Sequence, residues 1–346
     1  MKTYDNLFPE IYDFENLYSG YLRARRGKRD QNEVIRFEAD LESNLIQLQN
    51  ELIWDQYQTG PYRTFYVHEP KRRLVAALPF RDRVVQHSLI ATIEPIWEAR
   101  FIHHSYACRP GRGLHAATAA AQQWLREVER EHGRAYCFKA DVARYFASIG
   151  HSVLIGILAG RIRCQRTLAL CWDIISSWQP GLPIGSLTSQ LWANIVLDML
   201  DQFAKQHLHI KRYMRYMDDF IVIHHDKNYL RECQYQLEAF LEERLELRLN
   251  HKTQIFPVAH RGGRGLDYLG YIIWADRKRL RRDSVKRMGR RMKSMATAYA
   301  DGNIELDEVG QRLASWLGHA QNADSYRLIE KLVGKVVFKR GGARKG

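Results

Sequence analysis

Two adjacent carboxylates, Asp218 and Asp219, sit in the stretch 213–224, Tyr-Met-Arg-Tyr-Met-Asp-Asp-Phe-Ile-Val-Ile-His. Phe220 to Ile223 reads as a buried strand and Tyr213 to Met217 as its partner, which puts the acids at the tip of a hairpin. A like-charge pair that is also desolvated is unstable unless something positive sits on it. A divalent cation meets that need; a plain turn is the alternative, since Asp is common in turns. A third carboxylate shifts the balance. Asp141 stands where a strand beginning Tyr136-Cys137-Phe138 would end, and an Asp at a strand end can face a hairpin tip on the neighbouring strand. Asp141, Asp218 and Asp219 would then hold two Mg²⁺ ions roughly 3.5–4 Å apart for in-line phosphoryl transfer. Mg²⁺, with Mn²⁺ as a substitute, suits the task because it takes few carboxylates and completes its shell with phosphate oxygens and water.

Tyr216-Met217-Asp218-Asp219 resembles the catalytic box of reverse transcriptases. Residues 139–151, with Phe146 five positions after Asp141, resemble the family's first catalytic motif, and further motifs follow in the family's order across roughly residues 65–275. The resemblance implies an α+β right-hand polymerase fold: an N-terminal helical segment (1–60), fingers (61–134), a palm (135–275) with a helical insertion near 152–180, a helical thumb (276–338) and a basic tail (339–346). It implies RNA-templated DNA synthesis from dNTPs, with template RNA and the RNA/cDNA duplex as partners.

Site roles follow from the same resemblance. Arg73, or its neighbour Arg72, would grip the triphosphate, as a guanidinium does bidentately. Phe146 would lie under the incoming sugar and exclude a 2′-hydroxyl by shape; from the residue alone it reads equally as core. Lys252 would protonate the leaving pyrophosphate, with a surface lysine as the alternative. The Gly265–Tyr271 stretch resembles the hairpin that steadies the primer end.

Two strings point to one branch, the diversity-generating retroelement enzymes. One is Phe80-Arg-Asp-Arg-Val-Val-Gln-His87. The other is Ile184-Gly185 with Ser189-Gln190, where most of the family carries Gln-Gly and Ser-Pro. Replacing a hydrogen-bonding Gln by Ile removes a polar contact at the nucleotide pocket, which loosens discrimination. That branch implies errors opposite template adenines, mutagenic retrohoming and a small basic oligomeric accessory protein. The alternatives are a retron, group II-like or phage-defence reverse transcriptase without that role, and a nucleic-acid-binding protein with a silent palm.

The charge pattern agrees with a polyanion partner. The chain of 346 residues carries 53 Lys and Arg against 39 Asp and Glu, a net charge of +14, which favours nucleic acid. A membrane binder would show one strongly amphipathic basic helix with exposed aromatics, whereas these charges are spread out. No apolar run is long enough to span a bilayer, no signal core opens the chain, and five scattered cysteines form no CxxC pair. A cytoplasmic site in a prokaryotic or phage-infected cell is expected.

The elements that must position the site follow. Residues 1–30 read as a surface segment ending in arginines, and 31–54 as one helix with Val34, Phe37, Leu41, Leu45, Leu48 and Leu52 inward. Two short strands around a turn at Pro70 carry the basic cluster. A helix opens at Phe80, where Arg81 and Arg83 would meet template phosphate or pair with Asp82. Arg109 and Arg112 lie in a Gly/Pro loop that lets backbone approach nucleic acid. Gly185, before a helix running through Leu200, would let backbone lie against base or template. Residues 229–246 form an amphipathic helix with Tyr235 on its inner face. Residues 277–293 hold ten basic residues against one Asp. There Lys286, Arg287, Arg290 and Arg291 would track a duplex backbone while Val285, Met288, Met292 and Met295 pack.

Overall fold

A computed structural model describes residues 2–68 and 72–340. The expected turn at Pro70, Lys71 of the basic cluster and residues 341–346 of the tail lie outside the described residues. The chain opens with helices α1 (Phe8–Tyr12), α2 (Phe14–Ala24), α3 (Asn32–Glu38) and α4 (Leu41–Ile53). Strands β1 (Arg63–Val67) and β2 (Arg73–Ala77) follow, then α5 (Phe80–Glu98), α6 (Leu114–His132) and β3 (Tyr136–Asp141). Next come α7 (Tyr145–Ser148), α8 (His151–Ala159), α9 (Gln165–Ser176) and α10 (Leu187–Gln202), which runs into a π-helical turn at Phe203–His207. The chain continues through β4 (Tyr213–Tyr216), β5 (Asp219–His224), α11 (Lys227–Leu245), β6 (Gln254–Pro257), β7 (Leu266–Tyr268), β8 (Tyr271–Ile273) and β9 (Lys278–Leu280). It closes with α12 (Arg282–Ala300), α13 (Leu306–Ala320) and α14 (Tyr326–Val333).

This is a mixed α/β fold of small sheets and many helices. β1 and β2 pair antiparallel, as do β7, β8 and β9; the remaining sheet has the order β4–β5–β3–β6. That order sets β5, which begins at Asp219, beside β3, which ends at Asp141. The chain divides into two compact units. One comprises residues 1–111, 139–220 and 232–253, the other 112–138, 221–231 and 254–346.

In the first unit α5 is the central helix. Val84, Val85, Leu89, Ile90, Ile93 and Trp97 are buried along it, each such side chain contributing roughly 1.5–3 kcal/mol when fully buried. Residues 8–24 are not the surface segment expected. Leu17, Tyr21 and Ala24 are buried, and α2 lies so close to α5 that a Cβ on Gly20 would stand 2.8 Å from the Val84 carbonyl oxygen. The Asn16 side-chain amide donates to the Ser88 carbonyl at 3.3 Å.

The single helix expected over 31–54 is broken at Ala39-Asp40. Asp40, at φ −138° and ψ 59°, is the N-cap of α4. The break turns the two apolar stripes separately: Val34 and Phe37 on one helix, Leu45, Leu48 and Leu52 on the next, are buried. Tyr235 on α11 is 68% exposed, contrary to the inner position expected, while Leu230, Leu237, Leu241 and Leu245 are buried.

In the second unit α6 buries Ala117, Ala121, Leu125 and Val128 on one face and ends on Gly133 at φ +73°, a left-handed cap that glycine adopts without strain. Leu269-Gly270, both at positive φ, turn the β7–β8 hairpin. Met288, Met292, Met295 and Val309 form a small core to which Leu313, Trp316 and Phe338 add. Among the described residues no helix is long and apolar enough to cross a membrane.

Candidate active site

The β4–β5 turn is Met217-Asp218, with Met217 at φ +57°, the left-handed region that a non-glycine residue rarely occupies. It is joined to the end of β3: the Val142 N–H donates to the Asp218 carbonyl at 3.2 Å, and the Asn250 N–H to the Asp141 carbonyl at 2.7 Å. The Asn250 side-chain amide also donates to Asp141 Oδ2 at 3.2 Å.

The acids are electrostatically crowded. Burial first, and then the charge of Asp141, push the Asp218 carboxyl up to about 6, while Arg73 works in the opposite direction. Burial pushes Asp219 up to about 7, against the pull of Lys139 and with Asp141 and Asp218 adding to the rise. The Lys139 ammonium lies 3.6 Å from Asp219 Oδ2. At Asp218 and Asp219 burial and the neighbouring carboxylates outweigh the pull of Arg73 and Lys139, so further positive charge would be stabilised there. The donors are all hard oxygens, the chemistry that Mg²⁺ prefers. Among the described residues no trio of acid, histidine or cysteine side chains converges as a closed metal cage. Mg²⁺ at phosphoryl-transfer sites takes one or two carboxylates and leaves the rest of its shell to phosphate and water, so the donor set fits.

Around the acids the first unit gathers several of the other expected residues. Arg73, exposed at the start of β2, is near enough for its charge to act on Asp218. Arg72, the alternative to Arg73, instead lies over the Tyr66 ring, 4.0 Å from its centroid. The loop of Ile184 and Gly185 is bonded to β2, the Ala76 N–H donating to the Ile184 carbonyl at 2.9 Å. Gly185 has φ +114°, and a Cβ there would stand 2.8 Å from Val75 Cγ1 and 2.9 Å from the Ala76 oxygen. The close approach this glycine permits is therefore to β2 itself. The half-buried Phe146 is tied to the same loop, its carbonyl accepting from the Leu182 N–H at 2.7 Å. His151, expected to cap or pack, has its Nε2 2.8 Å from the Gly181 oxygen. Gln190 and Lys252 are exposed.

Three arginines expected at nucleic acid have protein partners. Arg81 pairs with Glu51, not with Asp82; Asp82 accepts from the Tyr57 hydroxyl at 2.7 Å. Arg83 pairs with Glu33 and donates to the Leu78 carbonyl at 2.9 Å. Arg109 is buried, bonded to Glu98 at 2.7 Å and to the carbonyls of Ile102 and Ser105, both at 2.8 Å. Arg112 is half-buried in the second unit. In that unit Lys286, Arg287, Arg290 and Arg291 all stand exposed on α12, while its methionines face inward. Residues 278–280, inside the basic stretch, form strand β9 and precede the helix.

Sequence reasoning missed Lys139, Asn250 and Arg215. Lys139 lies two residues before Asp141 on β3, so both point to the same face by strand alternation, and that spacing was an available signal. Asn250 reaches Asp141, and the buried Arg215 the Met217 carbonyl, by contacts that spacing does not reveal.

An acid cluster with an exposed arginine whose charge acts on it suits metal-assisted nucleotidyl transfer. A profile of the family described as reverse transcriptase (RNA-dependent DNA polymerase) matches residues 68–273, and the chain belongs to that family. It is 28% identical over 287 residues to Protein YkfC of Escherichia coli (strain K12), covering 70% of this chain and 74% of that one. It is 25% identical over 381 residues to the group II intron-encoded protein LtrA of Lactococcus lactis subsp. cremoris, covering 87% of this chain and 59% of that one. The chain thus spans 59% of the length of LtrA, less than two thirds. A solved apo telomerase from Candida tropicalis, truncated from its C-terminal domain, aligns at a TM-score of 0.48 and 10% identity, over 68% of this chain and 59% of that one. That likeness is too loose to bear on function.

Proposed function

We propose that the protein copies RNA into DNA at a centre formed by Asp141, Asp218 and Asp219. The observation that carries this reading is the meeting of the end of β3, at Asp141, with the turn of Asp218 and Asp219, the charge of Arg73 acting on Asp218. When bound there, Mg²⁺ would activate the primer 3′-hydroxyl and neutralise charge on the transferring phosphate. The chain's own residues do the rest. Asp141 and Asp218 supply the ligating oxygens, with Asp219 beside them. Arg73 grips the triphosphate, Phe146 and the Ile184–Gly185 loop shape the nucleotide pocket, and Lys252 donates a proton to the leaving pyrophosphate. In this reading β1 and β2 belong to the fingers, the β4–β5–β3–β6 sheet to the palm and α12 to α14 to the thumb. The exposed basic face of α12 then meets the template–primer duplex.

The test is extension of a DNA primer on an RNA template with Mg²⁺ and the four dNTPs, beside an Asp218→Ala control. Extension by the parent and none by the control is expected. Extension by both would sink the assignment of the site.

The group II intron-encoded relative supports an enzyme with no mutagenic role. A second reading, a diversity-generating enzyme working with an RNA template repeat and a basic accessory protein, is favoured by Ile184 and Gln190. The half-buried Ile184 places a hydrocarbon where a Gln amide would offer hydrogen bonds. Sequenced extension products decide between the two. Errors concentrated at template adenines and reduced by Ile184→Gln support the mutagenic reading; accurate products remove it.

A further inference from the structure

Directly before the acids lies a fully buried charge. Arg215 on β4 and Asp201 at the end of α10 are both 0% exposed. The guanidinium grips the carboxylate with two edges: Nε stands 2.8 Å from Oδ1 and Nη2 2.6 Å from Oδ2. The Tyr213 hydroxyl donates to Asp201 Oδ1 at 2.7 Å. The remaining donors are also committed. Nη1 donates to Asn194 Oδ1 at 3.0 Å and to the Met217 carbonyl at 2.9 Å, and Nη2 to Ser105 Oγ at 3.2 Å. Asn194 is fixed in turn, its amide donating to the Ala107 carbonyl at 2.9 Å. The Arg215 backbone is pinned on both sides, its N–H donating to the His104 carbonyl at 2.9 Å and its carbonyl accepting from the Tyr106 N–H at 3.0 Å.

A buried ion pair is an expensive way to stabilise a core, because apolar residues of similar volume often do as well or better. One of this pair's contacts bears directly on the acids, and apolar side chains could not replace it. It reaches the carbonyl of Met217, the left-handed residue immediately before Asp218. A non-glycine residue persists at such a φ only where its surroundings over-determine it. The five donors of a guanidinium lie in one rigid plane. With Asp201, Asn194 and Ser105 holding the guanidinium, the position of the Met217 carbonyl is fixed as well, and with it the direction in which the turn presents its carboxylates.

We propose that Arg215, locked by Asp201 and Asn194, is a positioning residue that sets the Asp218–Asp219 turn for metal and nucleotide. The proposal rests on the functional reading above. Two variants test it in the whole chain: the apolar pair Arg215→Met with Asp201→Leu, and the single Arg215→Lys, which keeps the charge and loses the fork. Each is measured for thermal midpoint, for kcat and dNTP KM in RNA-templated extension, and for Mn²⁺ binding by the electron paramagnetic resonance of the free ion. The expected result is a folded protein whose kcat falls about 100-fold, the scale of an ångström-sized misplacement. Mn²⁺ affinity should fall about 10-fold, as on loss of an outer support, with KM within threefold of the parent.

Folded variants that keep kcat and Mn²⁺ affinity within twofold would overturn the proposal. So would losses that only follow the unfolded fraction in both variants. If the double variant does not fold, Arg215→Lys is read by the same criteria. A parent that extends no primer would refute the functional reading, and Mn²⁺ binding would then decide the positioning role alone.

Discussion

The arginines of α5 and of the loop after it, and those of α12, look alike in sequence and live in opposite conditions. Arg83 and Arg109 in the first unit are largely covered, and Arg81 stands half-exposed, each paired with a glutamate. Lys286, Arg287, Arg290 and Arg291 in the second unit stand in water along one face of a helix whose other face is a methionine core. A positive residue near nucleic-acid motifs is therefore not in itself a nucleic-acid contact. What separates the two groups is whether a carboxylate brought near by the fold reaches the guanidinium first. A committed arginine supports the fold, and an exposed one remains available to phosphate.

Removing a committed arginine should have the largest effect on stability. Arg109→Ala leaves Glu98 and two carbonyls without their donor, and loss of one partner of a buried pair costs roughly 3–5 kcal/mol. Because the Glu98 side chain is 36% exposed, about 2–3 kcal/mol is expected in urea unfolding. A change below about 0.5 kcal/mol, the usual size at an open surface site, would break the contrast.

Arg290→Ala with Arg291→Ala should leave stability within about 0.5 kcal/mol. Binding to an RNA/DNA duplex should weaken, and the slope of log affinity against log salt should become shallower by about two. An unchanged slope would remove α12 from the interface.

A smaller effect concerns His87 on α5. Burial first, then the charges of Arg23 and Lys28, lower its pKa to about 4. The unfolded chain then binds a proton between about pH 6.5 and 4 that the fold excludes, so this residue's contribution to stability is lost as pH falls through that window. His87→Gln should flatten the decline in thermal midpoint over the window; parallel curves for parent and variant would show that His87 does not cause it.

Much of the site was legible because its elements are local. The apolar runs on either side of Asp218 and Asp219 specify a hairpin, and the strand before Asp141 is six residues long, Tyr136–Asp141. The Met stripe of α12 was readable from its spacing, since one helix face must be covered. The break at Ala39-Asp40 was not, because no proline or glycine marks it and the apolar period continues across it. Nor were the partners of the arginines. Glu33 and Glu51 lie 50 and 30 residues from Arg83 and Arg81, and nothing local selects them. Gly185 was recognised as a close-approach residue, but only the fold shows that what approaches is β2.

The central claim is that Asp218 is held in a place that suits the fold poorly and the chemistry well. The direct measurement is Asp218→Asn, compared with the parent for thermal midpoint in EDTA and for single-nucleotide incorporation on an RNA template with Mg²⁺. Burial and the facing Asp141 oppose the charge of Asp218, so the neutral amide should melt at or above the parent's temperature while incorporation falls at least 1,000-fold, on the order of 4 kcal/mol in barrier. A variant that melts well below the parent, or that still incorporates nucleotide at a tenth of its rate, would contradict the account.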